Sequence, residues 1–185
     1  MNSFVDEACY GTCFLNVLED EPSSVSFVED IVHQAGHLVL SAAAVQPGRL
    51  LAVDPASGLR EITLQPTEHR TVLAALHGFF TEVMIAQALD ACLREGTHGG
   101  PDAFECSGRL AFTLHKLLRD SRVLNVRRLF TPEGARFFAW LTNIFVDIFA
   151  RREDSVRSLD MSGQTYNFSR RIFFERNRRR SNTAC

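Results

Sequence analysis

The sequence predicts a mainly α protein: a single helical domain with a small β-hairpin set between two histidine-bearing helices. Three observations lead there. At 185 residues the chain supports one hydrophobic core and not two. Apolar residues recur at helical spacing over most of the chain, whereas the period of two that marks strands occurs only between Arg49 and Pro66. A hydrophobic fraction of 45% and a charged fraction of 23% belong to a packed globular chain, which excludes disordered and low-complexity classes.

The first helix is expected from Val5 to Glu19, ended by the polar run Glu19-Asp20-Glu21-Pro22. Ser26-Phe27-Val28-Glu29 has the pattern of a capping box, and apolar residues then run to Val45 before Pro47-Gly48 stops the helix. Leu50-Leu51-Ala52-Val53, the turn signal Asp54-Pro55-Ala56-Ser57-Gly58 and Glu61-Ile62-Thr63-Leu64 read as the small hairpin, or as an extended loop. His69 to Arg94 is helix-forming throughout and closes in a glycine-rich loop ending at Pro101. Another helix follows Asp102 and runs to about Arg119. Thr131-Pro132-Glu133 supplies an N-cap, a proline preset for the first turn and an early acid to a helix from Gly134 to about Arg151. Its Phe137, Phe138, Trp140, Leu141, Ile144, Phe145, Ile148 and Phe149 require burial. Residues 1–152 are thus the helical domain, and 153–185 a basic, partly ordered C-terminal extension.

A net charge of −2 and a pI near 6.3 exclude a general electrostatic grip on nucleic acid. Arginine supplies nearly all the basic residues, Lys116 being the only lysine, and this bias is given no functional weight. Cys9, Cys13, Cys92, Cys106 and Cys185 fit neither a disulfide framework nor a zinc pattern, so a reducing compartment is expected. The acidic N-terminus lacks the charge of a signal peptide and no apolar run reaches about 18 residues, so the expected location is cytoplasmic, with no membrane partner.

His33-Gln34-Ala35-Gly36-His37 is the sharpest local feature. Two histidines four residues apart share a helix face, the spacing at which one metal ion is held by both. Gln34 stands where zinc peptidases with HExxH carry a glutamate base, and an amide cannot take that proton. Chemistry that needs no protein base, such as that of redox iron, stays open. His77 is the candidate third ligand, with Gly78 beside it to permit close approach of a ligand; the plainer reading is a core histidine bonded to a neighbour. Arg70, seven residues earlier, is expected on the same helix face, about two turns or roughly 10 Å away. A metal-chelated 2-oxo acid with a distal carboxylate spans that distance to a guanidinium fork, the alternative being an exposed arginine at the helix start.

The segments Val28 to His37 and His69 to Gly78, with Leu129-Phe130-Thr131-Pro132-Glu133-Gly134-Ala135-Arg136-Phe137, resemble the HExxH-type 2-oxoglutarate-dependent peptide β-hydroxylases of bacterial natural-product pathways. The resemblance spans about residues 25 to 140. It implies that His33, His37 and His77 ligate Fe(II), that Arg70 holds 2-oxoglutarate, and that Gln34 takes the position of the catalytic glutamate. The implied reaction is hydroxylation, at the β-carbon, of an amino-acid residue in a peptide or carrier-tethered intermediate. Two positions depart from the pattern: Gln34 replaces the glutamate, and Thr71 the proline after the arginine. The first keeps the histidine pair and removes a carboxylate that supports the ligands.

Other readings compete. Three histidines with an open position also suit a zinc-dependent hydrolase, and Gln34 suits a helical binding module without chemistry. Asp30 lies on the face of His33 and His37 and is an alternative carboxylate ligand or a solvated first-turn acid. Cys9 and Cys13 read as buried thiols, and His98 and His115 as structural or exposed. The arginines of the tail and Arg127-Arg128 offer a surface to an acidic peptide or carrier domain, or form a solvated face. Phe79, Phe80 and Trp140 wall the pocket or pack the core.

Overall fold

The computed structural model describes residues 12, 22–43 and 47–178; the helix expected over 5–19, and with it Cys9 and Cys13, lies outside them. Among the described residues the fold is helical, with no strand. Helix α1 (Ser24–Ala43) starts from a reciprocal cap. The Ser23 hydroxyl accepts from the Ser26 N–H at 3.0 Å while the Ser26 hydroxyl accepts from the Ser23 N–H at 2.9 Å. The cap therefore sits three residues ahead of the expected Ser26–Glu29 box, and the Glu29 carboxylate is turned to Arg109 instead.

The expected β-hairpin is not formed. Asp54 does turn the chain, its carboxylate accepting from the Ala56 N–H and its carbonyl from the Ser57 N–H. Gly58 then leads into a single helical turn, α2 (Leu59–Thr63), which buries Leu59 completely and ends at Leu64 in the left-handed region (φ 58°). The extended partner of Leu51 is Phe130: the Ala52 N–H donates to the Leu129 carbonyl at 2.9 Å and the Thr131 N–H to the Leu50 carbonyl at 3.0 Å. A second short pairing sets Ser57–Leu59 beside Arg70–Val72, with Leu59 N–H to Arg70 carbonyl at 2.9 Å. Of the two segments expected to be extended, only the one holding Leu51 pairs as such, and with a distant partner, while Glu61–Thr63 is part of α2.

Thr71 caps α3 (Val72–Glu95), its hydroxyl accepting from the Ala74 N–H, and Gly96 ends the helix at φ 63°. By length and composition α3 could cross a membrane; here it is the central helix, packed on α1, α4 (Gly100–Leu124) and α5 (Pro132–Ser158). Phe79 and Phe80 serve the core, packing on Phe138, Phe145 and Phe137, while Trp140 is half exposed on the outer face of α5. Helix α5 continues past Arg152, and α6 (Arg170–Arg176) returns the chain to α4. There the fully buried Phe173 ring lies where a Cβ on Gly108 would stand 2.5 Å from it, so only glycine admits that contact.

The entry to α5 is equally tight. A Cβ on Gly134 would lie 1.8 Å from the Leu50 carbonyl oxygen, and backbone cannot yield as a flexible side chain does. Gly134→Ala is expected to destabilise the fold by on the order of 3 kcal/mol, read as a lower urea midpoint at unchanged slope. An unchanged midpoint would mean that the 50–52 and 129–131 segments are not paired in solution.

Candidate metal centre

The i, i+3, i+4 and i+7 positions Asp30, His33, Gln34 and His37 of α1 face a cavity of about 700 Å³. Ala74, Gly78, Thr81, Glu82 and Ile85 of α3 form a second wall, and Arg109, Phe112 and Lys116 of α4 a third. Tyr166, Asn167 and Phe168, from the segment between α5 and α6, close it. The aromatic wall is thus Phe112, Tyr166 and Phe168, in place of the expected Phe79, Phe80 and Trp140.

The histidines meet as the helical spacing requires. His33 and His37 bring their Nε2 atoms to 2.9 Å, one ring donating to the other. Two cis ligands bound to one ion through ~2.1 Å bonds stand about 3 Å apart, so the pair is already at ligand spacing. The ring centroids of His33 and His37 are 4.7 Å apart, and His77 stacks on His37 at 5.8 Å and 29°. Imidazoles sharing an ion through ~2.1 Å bonds have centroids roughly 4.5–6 Å apart, a range that holds the His33–His37 and His37–His77 separations taken pair by pair. Among the described residues no group of three or more His, Cys, Asp or Glu side chains is placed to hold a metal ion. Only the α1 pair stands at ligand spacing, and His77 lies outside the cavity lining.

The proton affinities suit such a centre. Burial, and then the charge of Lys116, lowers the pKa of His33. Burial, and then His33, pushes His37 down to about 4; burial, and then His37, does the same to His77. All three imidazoles are neutral at pH 7, the state in which nitrogen binds a metal; in donor type they suit a borderline divalent ion, and in spacing the His33–His37 pair does.

Arg70 arrives by a different route from the one expected. It precedes the Thr71 cap and so is not on the helix, but the pairing with Ser57–Leu59 brings its guanidinium over α3, with Nη1 3.9 Å from where a Gly78 Cβ would be. Two carboxylates hold it. Nε and Nη2 donate to Glu68 at 2.8 and 2.6 Å, while Nη1 and Nη2 donate to Asp120 at 2.6 and 3.2 Å. The hydrogen bond from Arg70 is the chief reason the Glu68 carboxyl is lowered to about 2. Gln34 is buried and lines the cavity, and Asp30 lines it too. His115 is exposed, and His98 lies away from the cavity with Nδ1 3.3 Å from the Ser24 hydroxyl.

No family model, curated protein or solved structure matches this chain.

Lys116, Glu82 and Glu29 were given no part in the site by the sequence, although Arg109, Phe112 and Lys116 at i, i+3 and i+7 carried a readable signal. The charge bias that made Lys116 look incidental hid it.

The depressed histidines make the metal-free protein acid-sensitive. In the unfolded chain these rings take protons near their ordinary 6.5, but His37 and His77 in the fold only near 4. The unfolded state therefore binds more protons between these values, and the stability present above about pH 6.5 is lost as pH falls toward 4. Titration of the imidazole carbon-bound protons by NMR should give midpoints near 4 for His37 and His77. Midpoints near 6.5 would mean the rings are solvated and not clustered.

Proposed function

We propose that this chain is a non-haem, Fe(II)- and 2-oxoglutarate-dependent oxygenase that hydroxylates an amino-acid residue, at the β-carbon, in a peptide or carrier-tethered intermediate. The observation that carries the reading is the trio of neutral imidazoles beside a cavity large enough for a small organic cosubstrate. His33, His37 and His77 would hold the iron. So bound, iron with a 2-oxo acid and dioxygen supplies the oxidising power to break an unactivated C–H bond.

The chain's own part is positioning and exclusion of water. The His33–His37 pair stands ready at 2.9 Å, so binding orders little beyond the His77 ring. Gln34, next to His33, can orient a bound group by donating or accepting a hydrogen bond but can take no proton, which fits a reaction without a protein base. Phe112, Tyr166 and Phe168 screen one side of the cavity from solvent. The charge of Lys116 beside His33 favours an anionic ligand at the metal.

Purified protein reconstituted anaerobically is expected to bind one Fe(II) per chain, and His33→Ala, His37→Ala and His77→Ala each to abolish stoichiometric binding. With a suitable peptide the loaded protein should convert 2-oxoglutarate to succinate. Iron retained only by His77→Ala would move the third-ligand role to Asp30, which faces the same cavity. Iron retained by all three variants would overturn the reading.

A further inference from the structure

Three cations line the histidine cavity, Arg70, Arg109 and Lys116, and they are not equivalent. Arg70 is forked on both edges by Glu68 and Asp120. Arg109 is nearly as fully engaged: Nε donates to Glu105 at 2.8 Å, Nη1 to Glu29 at 2.7 Å, and the face of its guanidinium lies 4.8 Å from the Phe168 centroid. Lys116 has one carboxylate partner, Glu82. Its ammonium sits 5.6 Å from the Phe112 centroid and 5.2 Å from that of Tyr166, two rings that hold a cation without using its N–H groups. An ammonium carries three donors, so two of them have no acceptor among the described residues.

We propose that Lys116 is the carboxylate anchor of this cavity, gripping the distal carboxylate of the 2-oxo dicarboxylic acid, with Glu82 as the internal carboxylate whose place the ligand takes. The inference rests on the proposed oxygenase reading and moves the anchoring role from Arg70, whose guanidinium is filled, to the chain's only lysine. Glu82 is suited to yield. It is buried on α3 with a single cationic partner, and burial raises its proton affinity against the pull of Lys116, so it gives up its charge more readily than an exposed carboxylate. Lys116 lines the same cavity as His33 and His37, which places the two ends of a short chelating ligand in one chamber.

The test compares two probes in anaerobic Fe(II)-loaded protein: 2-oxoglutarate, and 2-oxobutyrate, which has the same chelating end but no distal carboxylate. Binding is read by calorimetry and by charge-transfer absorbance, independently of turnover. Wild-type protein should prefer 2-oxoglutarate by roughly tenfold or more, the usual scale for a partly desolvated charge pair. Lys116→Met should erase that preference while keeping Fe(II) binding and helical circular dichroism, and Lys116→Arg should restore part of it. Glu82→Gln removes the internal competitor, so it should tighten 2-oxoglutarate severalfold and leave 2-oxobutyrate unchanged, a gain that loss of a purely structural ion pair would not produce. A preference that survives in Lys116→Met, or a Glu82→Gln variant that binds 2-oxoglutarate more weakly, overturns this inference alone. Wild-type protein that loads iron but binds neither acid overturns the oxygenase reading with it.

Discussion

The contact on which the site depends is between α1 and α3 at Gly36. A Cβ there would lie 3.1 Å from the Thr81 Cγ2 and 3.5 Å from the Thr81 Cα, so α1 approaches α3 closely where it carries no side chain. Thr81, fully buried, donates its hydroxyl to the Gly78 carbonyl of its own helix at 3.0 Å, which leaves its methyl to meet α1. His33 and His37 flank Gly36 on one helix, and His77 lies one turn from Thr81 on the other. A Cβ at 36 would require Thr81 to give by a few tenths of an ångström, so this position sets the separation between the helix of His33 and His37 and that of His77.

Around this contact, buried carboxylates set the register of the remaining elements. The fully buried Glu105 accepts from the Ser23 hydroxyl at 2.7 Å, from Arg109 at 2.8 Å and from Arg170 at 2.7 Å, tying the start of α1, α4 and α6 together. Asp120 fastens Arg70 to α4, and Asp90 takes Arg151 and Arg152 and so fixes α5 to α3. Removing one partner from a buried pair costs about 3–5 kcal/mol because the other charge is stranded, whereas a wrong packing would strand several at once. These pairs specify where the cavity walls stand more than they add to stability.

The sequence made the helices legible because they are long and their stops are chemical: Thr71 and Gly96 bound α3, and Thr131 with Pro132 opens α5. The His33–His37 pairing was legible for the same reason, since helical geometry converts a spacing of four into a shared face. What local sequence could not supply was tertiary choice. Leu51 has a strand's alternation, yet it pairs with Phe130, and residues 59–63 coil because Leu59 gains full burial that way. The C-terminal arginines read as a solvated run until Phe173 is seen seated on Gly108, with Arg170 reaching Glu105. Arg70 reaches the cavity through backbone pairing and not along a helix, and its carboxylate partners, fifty residues apart for Asp120, were invisible to any local window.

The central claim is that three imidazoles from two helices converge on one ion. X-ray absorption at the iron K-edge of anaerobically loaded protein tests it most directly, because imidazole rings give outer-shell scattering that oxygen ligands do not. The account predicts three imidazoles per iron with Fe–N distances of ~2.1 Å in the wild-type protein. A shell of oxygen alone, or fewer than three imidazoles per iron, would contradict it.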